Sequence, residues 1–452
     1  MTQAQSIKAD LRVVGGGLAG CEAAWQAAER GLSVLLYEMR PGQSTPAHRG
    51  GDLAELVCSN SLGSKLPDRA TGLLQEECRR MGSLLLRCAE ETAVPAGGAL
   101  AVDRDPFSRK VTDALSTHPR IRIERSEVVR IPEGLTVLAT GPLTSPAFSN
   151  ALAEWVGAEH LFFYDAMAPI VDAESIDRTI AFDGSRYDRG ETGEGDYLNC
   201  PFTREAYERF AEELRLAQRV ELRSFERDID QGVRTAQQTY FEGCLPVETL
   251  AARGARTLAF GPLRPVGLRD PLTGRRPYAV VQLRRENLAA TLFNLVGFQT
   301  NLTISEQDRV FRMIPGLAQA RFVRYGQMHR NTYLRSPGRI LPSLQWIGRE
   351  DLFLAGQMIG VEGYMGSVAT GLLAGVNAAR RFHGESSVIC PAETMIGALC
   401  RYVAATDAAT FQPMKANFGI LPPPEDGTLR GREKAAWLAA RAADRLPIEL
   451  LR

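Results

Sequence analysis

The fold is decided by a stretch near the N-terminus, Leu11-Arg12-Val13-Val14-Gly15-Gly16-Gly17-Leu18-Ala19-Gly20. Its first four residues are typical of a short buried strand, and the Gly-x-Gly-x-x-Gly spacing that follows indicates a phosphate-binding turn that leads into a helix. Gly15 permits the tight turn, Gly17 lets the backbone approach a pyrophosphate, and Gly20 allows the helix to pack on the strand. The free N–H groups at the start of that helix would face the phosphates.

The residues that follow complete a βαβ unit. The pattern predicts a helix over residues 18–30, ended by Gly31, and a second strand over residues 32–37. Glu38 lies 18 residues after Gly20, where a carboxylate accepts ribose hydroxyls. An ordinary glycine-rich turn is the alternative interpretation. We predict a dinucleotide site that includes Gly15, Gly16, Gly17, Leu18, Ala19, Gly20 and Glu38.

Two later stretches have the shape of buried strands that end on a glycine, Val137-Leu138-Ala139-Thr140-Gly141 and Leu352-Phe353-Leu354-Ala355-Gly356. The second continues through Gln357 and Gly363 into a predicted helix over residues 367–380. Two such strands so far apart predict one parallel sheet built from both ends of the chain. The predicted fold is therefore α/β, with a Rossmann-like FAD-binding domain (residues 1–145 and 326–452) interrupted by an α+β insertion domain (residues 146–325).

The position of the glycine motif favours FAD over NAD as the bound dinucleotide. The motif lies at the N-terminal end, and the later Leu-Ala-Gly-Gln stretch returns to close the site, as is common in FAD-dependent oxidoreductases. Gly356, Gln357 and Gly363 are accordingly predicted to contact the cofactor. A second Gly-x-Gly-x-x-Gly motif does not occur in the sequence, so NAD(P)H would bind transiently rather than in a Rossmann domain of its own.

Composition excludes several classes of protein. Apolar residues make up 44% and charged residues 23% of the 452 residues, which is typical of a globular protein and excludes disordered and collagen-like chains. A signal pattern and an apolar run of membrane-spanning length do not occur. Eight cysteines without a C-x-x-C pair favour neither a disulfide scaffold nor a zinc site. We expect a reduced, cytoplasmic protein with no metal and no membrane partner.

Charge is balanced in total but uneven along the chain. There are 53 basic and 53 acidic residues, and only five of the basic ones are lysines. Residues 253–285 contain eight arginines and one acid, and residues 321–349 contain six arginines and no acid. Arginines mixed with aromatic residues suit a phosphate backbone and unstacked bases. Arginines engaged in intramolecular ion pairs are the alternative, and charge alone does not decide between the two.

Two of the cysteines occur in settings that a hydrophobic core does not explain. Cys58 follows an apolar stretch and precedes polar residues, and Cys244 lies between Gly243 and Pro246 in a constrained turn. A reactive thiol needs partial exposure and positive neighbours, which the sequence does not show directly. The remaining cysteines that we expect to be small structural residues are Cys21, Cys78, Cys88, Cys200, Cys390 and Cys400.

Four motifs together resemble the bacterial folate- and FAD-dependent tRNA (uracil-5-)-methyltransferases. They are Val-Val-Gly-Gly-Gly-Leu-Ala-Gly-Cys-Glu-Ala-Ala from residue 13, Leu-Val-Cys-Ser-Asn-Ser-Leu from residue 56, Thr-Tyr-Phe-Glu-Gly-Cys-Leu-Pro-Val-Glu from residue 239, and Leu-Ala-Gly-Gln-Met-Ile-Gly-Val-Glu-Gly-Tyr from residue 354. The likeness extends over residues 11–421. One departure is Lys415, which stands where the family usually has asparagine, and we assign no role to it.

The resemblance implies that FAD is reduced by NAD(P)H and that 5,10-methylenetetrahydrofolate supplies one carbon to C5 of the T-loop uridine of tRNA. By the family pattern Cys244 is the nucleophile that adds to C6 of the base, and Cys58 removes the C5 proton. DNA is not an expected partner. Three alternatives stay open at this point: the same chemistry on ribosomal RNA, a flavin oxidoreductase that acts on a small molecule, and a flavin-bearing RNA-binding or assembly protein without turnover.

Overall fold

The computed structural model describes residues 9–45, 47–58, 60–157, 161–186, 195–220, 245–408, 411–425 and 429–451. In chain order the strands are β1 Leu11–Val14, β2 Val34–Tyr37, β3 Ala93–Val94, β4 Ala101–Val102, β5 Ile121–Glu124, β6 Thr136–Leu138, β7 Leu161–Ala166, β8 Ile170–Asp172, β9 Phe182–Gly184, β10 Tyr197–Phe202, β11 Ala279–Arg285, β12 Leu292–Leu295, β13 Phe322–Arg324, β14 Met328–Tyr333, β15 Gln345–Trp346, β16 Arg349–Leu354, β17 Val361–Glu362 and β18 Met414–Lys415. The α-helices are α1 Leu18–Ala28, α2 Ala70–Arg80, α3 Leu84–Glu91, α4 Arg104–Ser116, α5 Pro146–Val156, α6 Arg204–Leu216, α7 Val247–Ala252, α8 Thr257–Phe260, α9 Ile304–Phe311, α10 Tyr364–Phe382, α11 Met395–Ala405 and α12 Gly431–Ala443.

The first sheet joins strands from both ends of the chain. Its order is β15-β16-β6-β1-β2-β5, and every pair except β15–β16 is parallel. Phe353 of β16 is in register with Val137 of β6, which in turn is in register with Val13 of β1. The predicted parallel sheet is thereby confirmed. Its carboxyl ends, where β1 and β6 lie side by side, form the edge at which open α/β sheets bind ligands.

Helices α1 and α10 cover this sheet, and they pack on each other through small residues. Gly371 and Gly375 of α10 lie so close to Ala19 and Ala23 of α1 that a Cβ on either glycine would come within 2.4 Å of a backbone oxygen. Side chains larger than hydrogen are therefore excluded at both positions. The contact ties the helix that begins at the glycine turn to the helix that follows the C-terminal strand.

The second sheet is antiparallel and lies within the middle of the chain. Its order is β13-β8-β12-β11-β10-β9. It has a separate hydrophobic core, to which α6 contributes Tyr207, Phe210 and Leu214. The chain enters and leaves this unit along an antiparallel pair of strands, β7 and β14.

The two cores meet at a polar interface. The Tyr197 hydroxyl donates a hydrogen bond to the carbonyl of Ala96 (2.8 Å), and Arg104 forms an ion pair with Glu286 (3.1 Å). Helix α5 begins at residue 146 yet buries Phe148 and Leu152 in the first core. The division at residues 145/146 and 325/326 stays a proposal. Within the described ranges, no helix combines the length and the apolar character needed to cross a membrane.

Candidate dinucleotide groove and adjoining thiol pocket

The glycine turn forms one wall of a groove at the carboxyl ends of β1 and β6. Gly20 packs against the turn itself, since a Cβ there would lie 1.8 Å from the Gly15 carbonyl oxygen. Gly17 faces the opposite way, and the space beyond its α-carbon is open for at least 4 Å. It precedes α1 and has no side chain to cap the helix, so the first N–H groups of α1 are available to an anion.

Glu38 lies in the groove and is held there by a buried polar network. One of its carboxylate oxygens accepts a hydrogen bond from the Gly16 N–H (3.0 Å), and the other pairs with the guanidinium of Arg40 (2.9 Å). Arg40 also pairs with Glu55 (2.7 Å). Burial by itself would raise the pKa of Glu38, but the hydrogen bonds and the charge of Arg40 outweigh burial and hold the pKa below its usual value. Glu38 is therefore an ionised acceptor at neutral pH.

The C-terminal part of the chain supplies the other wall. Gly356 and Gln357, which follow β16, line the groove together with Tyr364 and Ser367 at the start of α10. The groove has an open volume of about 980 Å³. The glycine turn, Glu38 and Thr140, which follows β6, all line this groove, and phosphates and ribose hydroxyls are the groups that such N–H donors and carboxylates bind.

Cys58 lies in a second pocket that adjoins the groove. The Cys58 N–H donates a hydrogen bond to the Tyr364 hydroxyl (2.7 Å), which in turn donates one to the Cys58 carbonyl (2.8 Å). The Asn60 side-chain amide donates a hydrogen bond to the Cys58 sulfur (3.2 Å). Gln357, Tyr364 and Ser367 line both the groove and this pocket. Cys58 therefore lines a pocket that shares three residues with the groove.

The predicted site residues divide between these two spaces. Those that line the groove are Gly15, Gly16, Gly17, Leu18, Ala19, Glu38, Gly356 and Gln357. Gly363 lines the thiol pocket instead, as does Lys415, whose strand β18 pairs with β17. Gly20 lines neither space and instead packs against the Gly15 carbonyl of the turn. Cys244 lies outside the described residues, so the structure does not place the predicted nucleophile.

Residues that the sequence patterns did not indicate also line these spaces. Arg40 comes only two residues after Glu38 and pairs with it, and Tyr364 is the last residue of a motif that does not itself predict a contact with Cys58. A tyrosine after a glycine-rich turn is too common for the sequence to predict the two hydrogen bonds between its hydroxyl and the Cys58 backbone. The six cysteines expected to be structural are all buried, and burial raises the pKa of Cys200 and Cys400 to about 12, which keeps these thiols neutral. Cys58 is also buried, with 6% of its surface exposed, so the partial exposure expected of a reactive thiol is not seen in this structure.

Known proteins are similar to this chain in sequence and in fold. The family model described as "GIDA: Glucose inhibited division protein A" matches residues 10–386. The methylenetetrahydrofolate--tRNA-(uracil-5-)-methyltransferase TrmFO of Desulforudis audaxviator is 55% identical over 96% of this chain and 96% of its own length. The protein of the same name from Bacillus cytotoxicus is 51% identical over 96% and 97% of the two chains.

A solved structure with the same fold is that of Aquifex aeolicus GidA, which has a TM-score of 0.67 and a sequence identity of 17%. The match covers 100% of this chain and 75% of that protein. The predicted Rossmann-like fold with an insertion is confirmed by this likeness. From the family match and the identity over nearly the whole length, the chain belongs to the glucose inhibited division protein A family and to its TrmFO members.

Proposed function

We propose that this protein methylates C5 of the T-loop uridine in tRNA, with 5,10-methylenetetrahydrofolate as the carbon donor and FAD as the reductant. The observation that carries the proposal is the position of Cys58, whose pocket shares Gln357, Tyr364 and Ser367 with the dinucleotide groove. We assign the reactive end of the flavin to the part of the groove that these three residues line, next to the pocket that holds Cys58. The names of relatives more than 50% identical to the chain supply the substrate class.

The residues of the groove fit FAD. Glu38 is an ionised acceptor for ribose hydroxyls, and the N–H groups after Gly17 face a pyrophosphate position. When bound and reduced, FAD supplies the hydride equivalent that converts a transferred methylene into a methyl group. NAD(P)H would bind transiently, reduce the flavin and then dissociate.

The chemistry at the base requires two thiols. Uracil C5 becomes nucleophilic only when a group adds at C6, and we assign that addition to the Cys244 thiolate. The new C6–S bond pushes electron density to C5, which attacks the methylene carbon of the folate. One C–N bond of the methylene carbon breaks in that attack; the Cys58 thiolate then accepts the C5 proton, and the second C–N bond breaks to release tetrahydrofolate. A hydride, which reduced FAD would supply, adds to the exocyclic methylene carbon, and the Cys244 sulfur leaves C6 as the ring double bond re-forms. A thiolate both adds and leaves readily, which a hydroxyl does not do as well.

The thiol pocket gives Cys58 a defined orientation for that proton transfer. Tyr364 holds both backbone polar groups of Cys58, and Asn60 contacts its sulfur. The pocket has an open volume of about 890 Å³, which accommodates a base that has been turned out of its stack. A cytoplasmic location agrees with a tRNA substrate.

The test is to incubate the protein with an unmodified tRNA transcript, labelled methylenetetrahydrofolate and NADPH, and to analyse the nucleosides. We expect labelled 5-methyluridine that depends on all three reactants. A ribosomal RNA fragment in place of tRNA tests the nearest alternative, and NADPH oxidation stimulated by a small molecule without RNA tests the other. Absence of labelled 5-methyluridine with either RNA would overturn the proposal.

A further inference from the structure

The middle unit carries exposed arginines that form no ion pair with the described residues. Residues 253–276 form the loops around α8. We call five exposed residues there the arginine surface: Arg256, Arg264, Arg269, Arg275 and Arg276. None of the five forms an ion pair with any residue that the structure describes. Clustered like charges in the folded state repel each other, so such a surface lowers stability unless an anion binds to it.

Other exposed arginines of the same unit are neutralised by acids. Arg204 pairs with Glu208 (2.8 Å), Arg215 with Glu212 (2.6 Å) and Arg321 with Asp172 (2.7 Å). Among the residues that the structure describes, these three arginines have acidic partners and the five of the arginine surface do not.

The second arginine-rich stretch, residues 321–349, is largely engaged within the protein. Arg321 pairs with Asp172, and Arg349 pairs with Asp351 (3.0 Å). Arg339 donates a hydrogen bond to the carbonyl of Val156 (2.9 Å). In the first stretch, five arginines are exposed and form no ion pair with the residues that the structure describes.

The single acid within residues 253–276 does not neutralise the arginine surface. Asp270 is buried, and its carboxylate accepts hydrogen bonds from the Leu272 N–H (2.9 Å) and the Thr273 hydroxyl (3.0 Å). It fixes the turn that presents Arg269 and Arg275 to solvent. The acid thus shapes the arginine surface through local hydrogen bonds instead of cancelling its charge.

The two loops of this surface are held together at their base. The Val280 N–H donates a hydrogen bond to the Leu263 carbonyl (2.8 Å), and both residues are buried. Arg264 directly follows Leu263, while Arg275 and Arg276 shortly precede Val280. Arg264 and the pair Arg275 and Arg276 therefore lie in loops that leave one backbone junction.

An exposed aromatic ring lies among these arginines. Phe260 is 77% exposed, the largest exposed fraction of any aromatic residue in the described part of the chain. Its N–H donates a hydrogen bond to the Arg256 carbonyl (3.1 Å), so the ring follows Arg256 by about one helical turn and precedes Arg264 by the same spacing. Exposing this ring to water is unfavourable unless a partner covers it. A ring flanked by arginines is the arrangement that stacks on an unpaired base.

The arginine surface is connected rigidly to the sequence that follows Cys244. Helix α7 begins at Val247, whose N–H donates a hydrogen bond to the Gln299 carbonyl (2.7 Å). The buried Glu248 carboxylate accepts hydrogen bonds from the Thr300 hydroxyl (2.9 Å) and the Asn301 N–H (2.8 Å). The residues from 247 to the arginine surface thus form one anchored segment.

We propose that the arginine surface binds the phosphate backbone of the substrate tRNA, with Phe260 stacked on an unpaired base. This inference rests on the proposed function for the identity of the RNA. Each phosphate contact made by an arginine releases counterions, so the affinity falls with salt in proportion to the number of contacts. The positive patch is confined to this surface, so we expect a modest slope rather than a steep one.

The test compares two triple variants that remove the same charge. Arg264→Gln/Arg275→Gln/Arg276→Gln alters the arginine surface, and Arg204→Gln/Arg215→Gln/Arg321→Gln alters exposed arginines of the same unit that are ion-paired. Dissociation constants for an unmodified tRNA transcript are measured over a salt series. We expect the first variant to bind at least about tenfold more weakly at low salt and to lose about 2–3 from the log–log salt slope. The paired-arginine control should stay within about twofold of wild type.

Equal affinity and equal slopes in the two triple variants would overturn the inference. Binding is measured without folate or NADPH, so a protein that binds tRNA but transfers no methyl group disproves the proposed function and leaves the surface assignment standing. Phe260→Ala should weaken binding without changing the salt slope, and Phe260→Trp should restore it. Unchanged affinity in Phe260→Ala rules out stacking. Melting curves and flavin absorbance confirm that each variant is folded.

Discussion

The hydroxyl of Tyr364 holds the backbone of Cys58 from both sides, since it accepts from the Cys58 N–H at 2.7 Å and donates to the Cys58 carbonyl at 2.8 Å. The two residues are 306 positions apart in the chain. One side chain at the start of α10 therefore fixes the loop that carries the thiol. The Tyr364 side chain also lines the dinucleotide groove, so it connects the loop that carries Cys58 to the space predicted for the cofactor.

Replacing Tyr364 with phenylalanine should lower kcat for methylation about tenfold while the flavin stays bound. The variant loses two hydrogen bonds, each worth about 0.5–1.5 kcal/mol, and leaves the Cys58 backbone groups without this partner. Steady-state kinetics with tRNA and flavin absorbance measure the two effects. Tyr402→Phe is the matched control, because that hydroxyl donates to the Gln412 carbonyl (3.0 Å). Wild-type turnover in Tyr364→Phe would show that the clamp has no part in catalysis.

Two alanine substitutions in the glycine turn should have opposite effects. Gly20→Ala places a Cβ against the Gly15 carbonyl oxygen, which has no room for it, so we expect the melting temperature to fall by at least about 5 °C. Gly17→Ala meets no neighbouring atom and has an extended backbone that alanine accepts (φ −79°, ψ −172°). Its methyl group instead enters the groove, so the fold should persist while flavin content drops.

Melting curves and the flavin absorbance of the purified proteins distinguish the two cases. A Gly17→Ala protein with full flavin content would contradict the assignment of the groove to the dinucleotide. A Gly20→Ala protein as stable as wild type would contradict the close contact between α1 and the turn.

The first sheet is predictable from sequence because its signals are local. β1, the glycine turn and α1 follow one another within residues 11–28, and β16 repeats the pattern of β6. β5 is different. Its sequence, Ile121-Arg122-Ile123-Glu124, has only two apolar residues, and its place next to β2 depends on pairing rather than on an apolar run.

The site is less predictable than the fold, since its geometry comes from contacts between distant parts of the chain. The spacing after Gly20 indicates Glu38, but the burial of Arg40 against Glu38 and Glu55 arises only when the loop after β2 folds back. The clamp between Tyr364 and Cys58 has no local signature at all. The ion pair between Arg321 and Asp172 likewise has no local signature, because the acid lies far from the arginine in the sequence.

A buried carboxyl group should make stability fall as pH rises. Burial raises the pKa of Glu77 to about 7, although the N–H groups of Met395 and Ile396 and the charge of Arg80 act in the opposite direction. A raised pKa means that the folded protein holds the proton more tightly than the unfolded chain does. The stabilisation is complete below the unfolded value near 4.5 and is lost as pH rises through about 7.

Glu77→Gln should remove the contribution of Glu77 to the pH dependence of the free energy of unfolding. That contribution amounts to about 3 kcal/mol between the unfolded pKa near 4.5 and the folded pKa of about 7. Melting temperatures measured from about pH 5 to about pH 8 test this expectation. Glu76→Gln on the same helix is the control, because its side chain is 49% exposed. Parallel pH profiles for wild type and Glu77→Gln would show that Glu77 stays ionised throughout.

Cys58→Ala should abolish formation of 5-methyluridine while leaving the covalent attachment to RNA intact. The proposed role of Cys58 is to accept the C5 proton after the carbon has been transferred, so its loss blocks a later step. Nucleoside analysis measures the product, and gel electrophoresis of the protein with RNA measures the attachment. Cys400→Ala is the control, since that thiol is buried in the first core. Normal turnover by Cys58→Ala would remove Cys58 from the mechanism.

Cys244→Ala should prevent a covalent adduct with tRNA that contains 5-fluorouridine. Fluorine at C5 cannot leave as a proton does, so a sulfur that has added to C6 stays attached to the base after carbon transfer. The wild-type protein should therefore migrate as a protein–RNA complex on a denaturing gel, and Cys58→Ala provides the comparison in which the nucleophile is intact. An adduct that forms equally well with Cys244→Ala would assign the addition to a different thiol. Loss of the adduct with tRNA affinity unchanged places the defect in bond formation rather than in binding.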